Sequence, residues 1–177
     1  MEFEKCLTTR RSIRKYKDKE ISKETILKLI ESANLAPSWK NSQVSRFYTA
    51  LSKNAKQEVF DSLPTFNQNN TINASAYIVS TVVDRISGCN KDGSFSQQIK
   101  DGYQYFDNGL QVENLCLEAN NLGLGTLIMG LFDEEKIRNY FSIPENEKIV
   151  AVISVGYPDI NPTMPTRKEL DEIVKIF

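Results

Sequence analysis

The sequence predicts one layered domain of helices and strands, of either the α+β or the α/β class. Segments with helical spacing of apolar residues alternate along the 177 residues with short segments rich in β-branched and aromatic residues. No repeat and no Pro/Gly-rich linker divides the chain, which contains only 8 Gly and 6 Pro. With 40% hydrophobic and 25% charged residues, it has enough apolar side chains for one core. We therefore expect a single domain over residues 1–177.

The first half of the chain is predicted to contain three helices and two strands. Phe3 and Leu7 lie one helical turn apart and predict a short helix, which runs into a basic loop at 10–17. Ser22 is a suitable N-cap for a second helix that ends before Pro37. Strands are predicted at 46–51 and 77–83, a third helix at 54–62, and a polar loop over the Asn-rich segment 65–74.

The second half is dominated by the longest predicted helix, 97–122, which follows a loop at 87–94. Its apolar residues form two stripes, so we expect burial on more than one face, and Gly102 and Gly109 indicate close approach by another helix. Gly123 is expected to end this helix in the left-handed conformation. The two stripes are Ile99, Tyr103, Phe106, Leu110 and Leu117, and Val112, Leu115, Ala119 and Leu122.

The C-terminal third is predicted to contain two strands and two helices. The strands lie at 126–129 and 149–155, and a helix capped by Asp133 runs between them to Phe141. A capping box from Thr166 to Glu169 is predicted to open a last helix that continues to Phe177. Because the long helix is apolar on two faces, a second copy of the chain is its expected second partner, since two-fold dimers are the commonest oligomers.

Two features of the composition exclude whole classes of enzyme. The chain contains no histidine, which excludes Ser-His-Asp and Cys-His catalysis and every His-ligated metal site. Cys6, Cys89 and Cys116 are far apart and form no C-x-x-C motif, so we interpret them as buried apolar residues in a reducing compartment. An enzyme of this composition is expected to take its chemistry from an organic cofactor, with no metal.

Charge and apolar patterning argue against nucleic acid and membrane partners. The formal net charge is −1 and the sequence pI is about 5.7, whereas nucleic-acid-binding domains are basic. No apolar run approaches the ~20 residues that span a bilayer, and acids at Glu2 and Glu4 argue against a signal peptide. We therefore expect a cytoplasmic protein.

The basic segment that follows the first helix is the sharpest candidate site. Arg10, Arg11 and Arg14 with the hydroxyl of Ser12 are able to hold a phosphate dianion, because Arg makes charge-assisted, bidentate bonds to phosphate oxygens. The alternative is a solvated basic surface. The segment alone does not decide between them.

Three further segments carry weaker signals. The loop 36–43 contains Pro37 and mostly hydrogen-bonding side chains, and either contacts a polyol or ring amide or forms an ordinary turn with Trp39 against the core. Gly123 and Gly125 are interpreted as a helix C-cap and a turn, because the run does not fit G-x-G-x-x-G. Gly130 follows a strand and permits close backbone approach to a ligand. Arg167 and Lys168, after Gly-Tyr-Pro at 156–158, either bind an anion at a helix N-terminus or cap a surface helix.

Together and in this order, the four segments resemble the nitroreductase family of flavoproteins. The matching motifs are Arg-Arg-Ser-x-Arg at 10–14, Ala-Pro-Ser-x-x-Asn-x-Gln at 36–43, Gly-Leu-Gly-Thr at 123–126 before Gly130, and Gly-Tyr-Pro at 156–158 with 167–168. The resemblance implies an α+β fold in which helices flank a central, mostly antiparallel sheet. It also implies an intertwined homodimer with FMN bound at the subunit interface.

The resemblance implies a role for each motif residue. Arg10, Ser12 and Arg167 would bind the FMN phosphate, and Arg14 would lie near the ribityl chain or the N1/O2 edge, where a cation stabilises the reduced ring. The backbone N–H of Gly130 would face flavin N5. Further cofactor contacts are implied for Arg11, Lys168 and Met129, and, from the partner subunit, for Pro37, Ser38, Trp39, Asn41 and Gln43.

The implied activity is NAD(P)H-dependent oxidoreduction by a ping-pong exchange. Hydride would pass from NADH or NADPH to flavin N5, and then to a small electrophile such as a nitroaromatic or a quinone. Two departures bear on the substrate: Val44 replaces the usual Pro, and a short polar stretch at 63–76 replaces a region that shapes the pocket in longer members. The alternatives are another flavin chemistry, such as dehalogenation or flavin breakdown, and a non-catalytic flavin carrier or regulator.

Overall fold

The computed structural model describes residues 2–177 and contains one four-stranded sheet, in which every strand pair is antiparallel. The order across the sheet is β1-β2-β4-β3, so β2 and β4 are central and β1 and β3 are edge strands. This arrangement confirms the predicted α+β fold. The strands are β1 (Ser45–Ala50), β2 (Ala76–Val83), β3 (Gly125–Met129) and β4 (Glu147–Gly156).

Helices pack on both faces of the sheet, and three of the predicted end signals are confirmed. Ser22 caps α2 by accepting a hydrogen bond from the Thr25 N–H (3.2 Å), and Asp133 caps α6 in the same way. Gly123 follows α5 with a φ of +74°. The helices are α1 (Phe3–Thr9), α2 (Lys23–Asn34), α3 (Lys53–Phe60), α4 (Thr65–Thr71), α5 (Gly102–Asn121), α6 (Glu134–Phe141) and α7 (Leu170–Ile173), with a 3-10 turn at Trp39–Asn41.

The core has two layers, one on each face of the sheet. Side chains alternate along β2, so Tyr77 and Val79 pack with α3 and α6, whereas Ile78 packs with Leu29 of α2 and Leu115 of α5. Because β2 and β4 are covered on both faces, their sequences are almost continuously apolar. This packing places α5 across the sheet, where it also contacts the edge strands β1 and β3.

Residues 65–71 form helix α4, so the prediction of a loop over 65–74 was wrong for most of the segment. The helix starts directly after Pro64, and two of its polar side chains are buried with hydrogen-bond partners. Asn67 donates to the carbonyl of Leu131 (3.3 Å), and the Thr71 hydroxyl donates to the carbonyl of Asn67 (2.8 Å). A polar segment can therefore be helical here because tertiary contacts satisfy its side chains.

Two predicted helix boundaries differ from the structure. Helix α5 begins at Gly102 and not at residue 97, because the Gln97 side chain bonds the Ile99 N–H and Lys100 adopts a left-handed φ of +52°. The last helix comprises only Leu170–Ile173, and its capping box joins Glu169 to Glu172. The predicted box at Thr166 and the continuation to Phe177 were both wrong.

Helix α5 differs from the predicted pattern on its outer side. Phe106 and Ile99, predicted in an apolar stripe, are each 57% exposed, whereas four polar residues of the helix are buried. A Cβ at Gly109 would meet no atom of the chain within 4 Å, so the helix approach predicted there is not made within residues 2–177. No helix within residues 2–177 is both long and apolar enough to cross a membrane. The buried polar residues are Gln104, Asp107, Asn108 and Gln111.

Candidate functional site

The basic segment after α1 runs along the outer edge of β3. The Ile13 N–H donates to the Thr126 carbonyl (2.9 Å), and Ser12 forms a parallel bridge with the same residue. A cavity of about 100 Å³ lies between this segment, the start of β3 and residues 158–162. It is lined by Thr9, Arg10, Arg11, Ile13, Cys116, Asn120, Leu124, Gly125, Thr126, Pro158, Ile160, Asn161 and Pro162.

The guanidiniums beside this cavity are only partly neutralised within the chain. Arg10 pairs with Glu113 of α5 (Nε to Oε1, 3.2 Å), and Arg11 donates from Nη1 to the Arg10 carbonyl (2.7 Å). The Arg11 Nε is buried and has no hydrogen-bond partner among residues 2–177. An unpaired buried donor is costly, and Arg11 lines the cavity, so an anion bound there is a candidate partner for this group. Arg14 is exposed outside the cavity, with one long contact to the Ser12 carbonyl (3.5 Å).

Gly125 allows the basic segment to lie this close to the sheet. A Cβ at Gly125 would lie 2.8 Å from the Ile13 Cβ and 3.1 Å from the Pro158 Cγ. The first of these distances is shorter than real Cβ atoms show. Gly125 is the first residue of β3, so its interpretation as a turn residue was wrong. Its function is close packing between a strand and the segment that carries the arginines.

Cys116 lines the same cavity but adds no charge to it. Burial raises the pKa of its thiol to about 11, although a hydrogen bond with Thr126 acts in the opposite direction. The neutral thiol is 2% exposed, and the Cys6 thiol, also buried, donates to the Leu117 carbonyl (3.1 Å). The interpretation of these two cysteines as buried small residues is confirmed, whereas Cys89 is only half-buried.

The predicted polar loop adopts an unusual backbone conformation. Lys40, Asn41 and Gln43 have φ values of +45°, +56° and +48°, in the left-handed region that non-glycine residues seldom adopt. The loop is held by Asp107 of α5, which accepts a hydrogen bond from the Trp39 N–H (3.0 Å). Within the loop, the Gln43 N–H donates to the Ser38 hydroxyl (3.0 Å).

The side chains of this loop divide between the protein and the surface. The Trp39 ring packs edge-on against Tyr103 with 4.6 Å between centroids, and its Nε1 is buried without a hydrogen-bond partner in the described chain. Pro37, Asn41 and Gln43 are exposed. The loop therefore combines both interpretations of the sequence, because Trp39 packs against the protein while neighbouring polar groups face outward.

The basic segment and the polar loop are attached to different faces of α5. Their anchors, Glu113 and Asp107, lie six residues apart, which is about 9 Å along the helix and roughly 120° around it. No hydrogen bond or ion pair among residues 2–177 joins the two segments directly. One chain thus presents them as two separate surfaces.

The remaining predicted residues lie at the end of β3 and in the C-terminal segment. Met129 is buried at the end of β3, and Gly130 is exposed, with no atom within 4 Å of where a Cβ would lie. Arg167 and Lys168 are exposed and precede the four-residue helix α7, so the predicted helix start at this pair was wrong. Neither residue lines the cavity beside Arg10.

Sequence reasoning missed the α5 residues that anchor both segments. The sequence did contain a signal for one of them, because the four buried polar residues are spaced i, i+3, i+4 and i+7 and so share one helix face. A polar stripe inside an otherwise apolar helix indicates buried hydrogen bonds. Its members are Gln104, Asp107, Asn108 and Gln111, whereas Glu113 lies outside the stripe.

Fold and site together define an α+β protein with a small cavity, lined by Arg10 and Arg11, beside an edge strand. The family model described as "Nitroreductase family" matches residues 7–157. An Archaeoglobus fulgidus protein named "Putative NADH dehydrogenase/NAD(P)H nitroreductase" is 34% identical over 88% of this chain and 87% of its own. A Methanothermobacter thermautotrophicus protein of the same name is 30% identical, over 92% and 80%. The chain belongs to the nitroreductase family, which confirms the predicted family and enzyme class.

Solved structures show the same fold. A nitroreductase family protein from Clostridium novyi NT is 28% identical, with a TM-score of 0.77 over 97% of this chain and 91% of that one. A protein from Exiguobacterium sibiricum, solved in complex with FMN, has a TM-score of 0.84 over 100% of this chain and 98% of that one. At 24% identity, the second comparison shows the shared fold.

Proposed function

We propose that this protein is a homodimeric, FMN-dependent oxidoreductase that passes reducing equivalents from NADH or NADPH to a small electrophile such as a nitroaromatic or a quinone. The observation that carries the proposal is the unpaired, buried Nε of Arg11 beside a cavity, in a chain of the nitroreductase family. The FMN bound by the Exiguobacterium sibiricum neighbour supports the choice of cofactor. The free cysteines fit the expected cytoplasmic location, because thiols stay reduced there.

The residues present fit FMN at two points. Arg10 and Arg11 line the cavity with cationic donors, which suits a phosphate dianion, and the hydroxyl-bearing Ser12 follows them in the chain. The second point is the buried Nε1 of Trp39, a donor that would suit a ribityl or ring oxygen. Two buried donors without partners among residues 2–177 therefore both lie in segments assigned to the cofactor.

When bound, FMN supplies two-electron chemistry by accepting hydride at N5 from a nicotinamide and delivering it to the acceptor. The chain contributes binding, orientation and charge. Arg10 and Arg11 would bind the phosphate, Arg14 would supply a cation that favours negative charge on the reduced ring, and the Gly130 N–H would be the donor toward N5. Because no step needs a histidine, the composition of the chain is compatible with this mechanism.

Exposed apolar residues support a dimer. Phe106 of α5 is 57% exposed beside the open surface at Gly109. The C-terminal segment 163–177 is exposed throughout, and five exposed apolar residues lie in its last eight positions, 170–177. Such surfaces mark interaction sites. A second copy that covers them would also bring its polar loop toward the basic segment of the first copy. Within one chain, these two segments lie apart. The five residues are Leu170, Ile173, Val174, Ile176 and Phe177.

The test of the cofactor and activity is direct. We expect the purified protein to be yellow, to release non-covalent FMN on denaturation, and to oxidise NADH or NADPH when a nitroaromatic or quinone is added. Colourless protein that takes up no FMN on titration would refute the flavoprotein proposal. Bound FMN without NAD(P)H oxidation would identify a carrier, and product analysis would reveal dehalogenation or flavin breakdown.

The test of the assembly is the mass of the loaded protein in solution. Light scattering at micromolar concentration should give twice the 20.2 kDa of one chain. A protein that is active with FMN and yet has the mass of one chain would contradict a site shared between subunits.

A further inference from the structure

Asp107 joins two loops of the chain at a single carboxylate oxygen. Its side chain is 1% exposed in the middle of α5. Its Oδ2 accepts hydrogen bonds from the Trp39 N–H (3.0 Å), the Ser42 hydroxyl (3.2 Å) and the Ser87 hydroxyl (2.6 Å). Trp39 and Ser42 belong to the polar loop, and Ser87 belongs to the segment between β2 and α5.

The polar loop needs such an anchor because its backbone conformation is intrinsically unfavourable. Lys40, Asn41 and Gln43 all have positive φ, although none is a glycine. Residues in this region persist only when the surrounding structure holds them, and they cluster at functional sites. One bond to Asp107 comes from Trp39, directly before the first strained residue, and the other comes from Ser42, between the last two strained residues.

A carboxylate is the side chain that fits this position. Three donors converge on one oxygen, and bonds to an ionised acceptor are stronger than bonds between neutral groups. An asparagine would present one carbonyl oxygen with two lone pairs and an NH2 group that only donates. An asparagine oxygen in the same place could accept the same three bonds, but as a neutral acceptor it would hold each donor less strongly.

We infer that Asp107 is a positioning residue, which sets the conformation of the loop 38–43 and thereby the wall that this loop gives the FMN site. The effect on flavin binding and turnover rests on the proposed function. The effect on the loop does not, because it follows from the three hydrogen bonds alone. Asp107 does not line the cavity beside Arg10 and Arg11, so it acts through Trp39 and its neighbours.

Trp39 provides a direct reporter, because it is the only tryptophan in the chain. Its emission maximum and its quenching by acrylamide measure how the loop packs, with or without flavin. The test variants are Asp107→Asn, Asp107→Ala and the milder Ser42→Ala, which removes only the hydroxyl bond. Glu147→Gln is the matched control, because Glu147 is also a buried carboxylate (6% exposed) that accepts from two hydroxyls, of Tyr48 and Thr81, on other elements.

We expect Asp107→Ala to shift Trp39 emission to longer wavelength and to raise quenching, with Asp107→Asn and Ser42→Ala changing both in the same direction by less. In FMN-loaded protein, the Kd for FMN or the KM for the acceptor should rise about tenfold in Asp107→Ala. Glu147→Gln should lower Tm without changing the Trp39 signal. If Asp107→Ala does not fold, Asp107→Asn and Ser42→Ala carry the same test.

Two results would overturn the inference. One is wild-type Trp39 emission and quenching in folded Asp107→Asn and Ser42→Ala proteins. The other is an equal change of the Trp39 signal in Glu147→Gln, which would show that any buried acid has this effect. If the wild-type protein bound no flavin, the proposed function would fail, whereas the fluorescence of these variants would still decide the position of the loop.

Discussion

Replacing Gly125 by alanine tests whether close packing of the basic segment against β3 builds the anion site. The added Cβ would lie 2.8 Å from the Ile13 Cβ and 3.1 Å from the Pro158 Cγ, and would also collide with the Ile13 Cγ1. Ile13 cannot simply rotate away, because its Cβ is fixed by the backbone, which bonds Thr126 through the Ile13 N–H (2.9 Å). The backbone that carries the arginines must therefore move.

The cost follows from two opposing effects. Overpacking a core typically costs about 1–3 kcal/mol, and the smaller conformational freedom of alanine in the unfolded chain offsets roughly 0.4–1 kcal/mol of it. A net loss of about 1–2 kcal/mol corresponds to a fall in Tm of roughly 2–8 °C for a chain of this size. Because Arg11 and Ser12 move with Ile13, we expect the Kd for FMN to rise about tenfold, and riboflavin binding to change less.

The assay combines thermal unfolding at fixed protein concentration with titration of FMN and riboflavin. Gly130→Ala is the matched control for stability, because a Cβ there meets no atom of the chain within 4 Å. It should leave Tm unchanged. Wild-type Tm and wild-type FMN affinity in Gly125→Ala would refute the reasoning, since they would show that the segment yields freely and that its position does not set the phosphate contacts.

Four further variants probe the proposed site and assembly. Arg10→Ala should weaken FMN binding by roughly ten- to a hundredfold, because a charge-assisted hydrogen bond contributes about 1.5–3 kcal/mol. Arg167 lies outside the cavity of its own chain, so Arg167→Ala should have the same effect if the C-terminal segment reaches the phosphate in the dimer. Riboflavin should bind both variants as it binds wild type. Unchanged FMN affinity in both would make the arginines a solvated surface. In folded, FMN-loaded dimers, Gly130→Pro should slow flavin reduction by NAD(P)H in stopped-flow measurements much more than Gly130→Ala, because proline removes the N–H donor. A wild-type rate in the proline variant would place the N5 contact elsewhere. If a second helix packs at Gly109, Gly109→Ala should weaken the dimer in sedimentation experiments. If the position is exposed to solvent, the same change should stabilise the helix by about 0.5–1 kcal/mol.

Much of the fold was predictable because local interactions encode it. Ser22 and Asp133 cap their helices as expected, and Gly123 ends α5 with positive φ, since each signal depends on residues within one helical turn. The β-branched and apolar runs of β2 and β4 predicted strands for the same reason. The order of four short motifs sufficed to identify the family.

Helix α4 was not predictable in this way. Its Asn-rich sequence has little apolar periodicity, and its helical state depends on contacts such as the bond from Asn67 to the Leu131 carbonyl, 64 residues away. The function of Gly125 was equally hidden, because only the fold brings Ile13 against it. Local sequence favours a loop and a turn at these places, and tertiary packing overrides both.

The candidate site was likewise predictable in part from local sequence and in part only from tertiary packing. The sequence by itself predicted which segments would hold a cofactor, because their Arg and Ser residues have the charge and donors that suit a phosphate and because their order resembles the nitroreductase family. Only the tertiary structure showed what holds those segments in place. Asp107 reaches Trp39 across 68 residues of chain, and Glu113 reaches Arg10 from another face of the same helix. Such anchors satisfy buried polar groups, and a donor finds its buried acceptor only after the chain has folded.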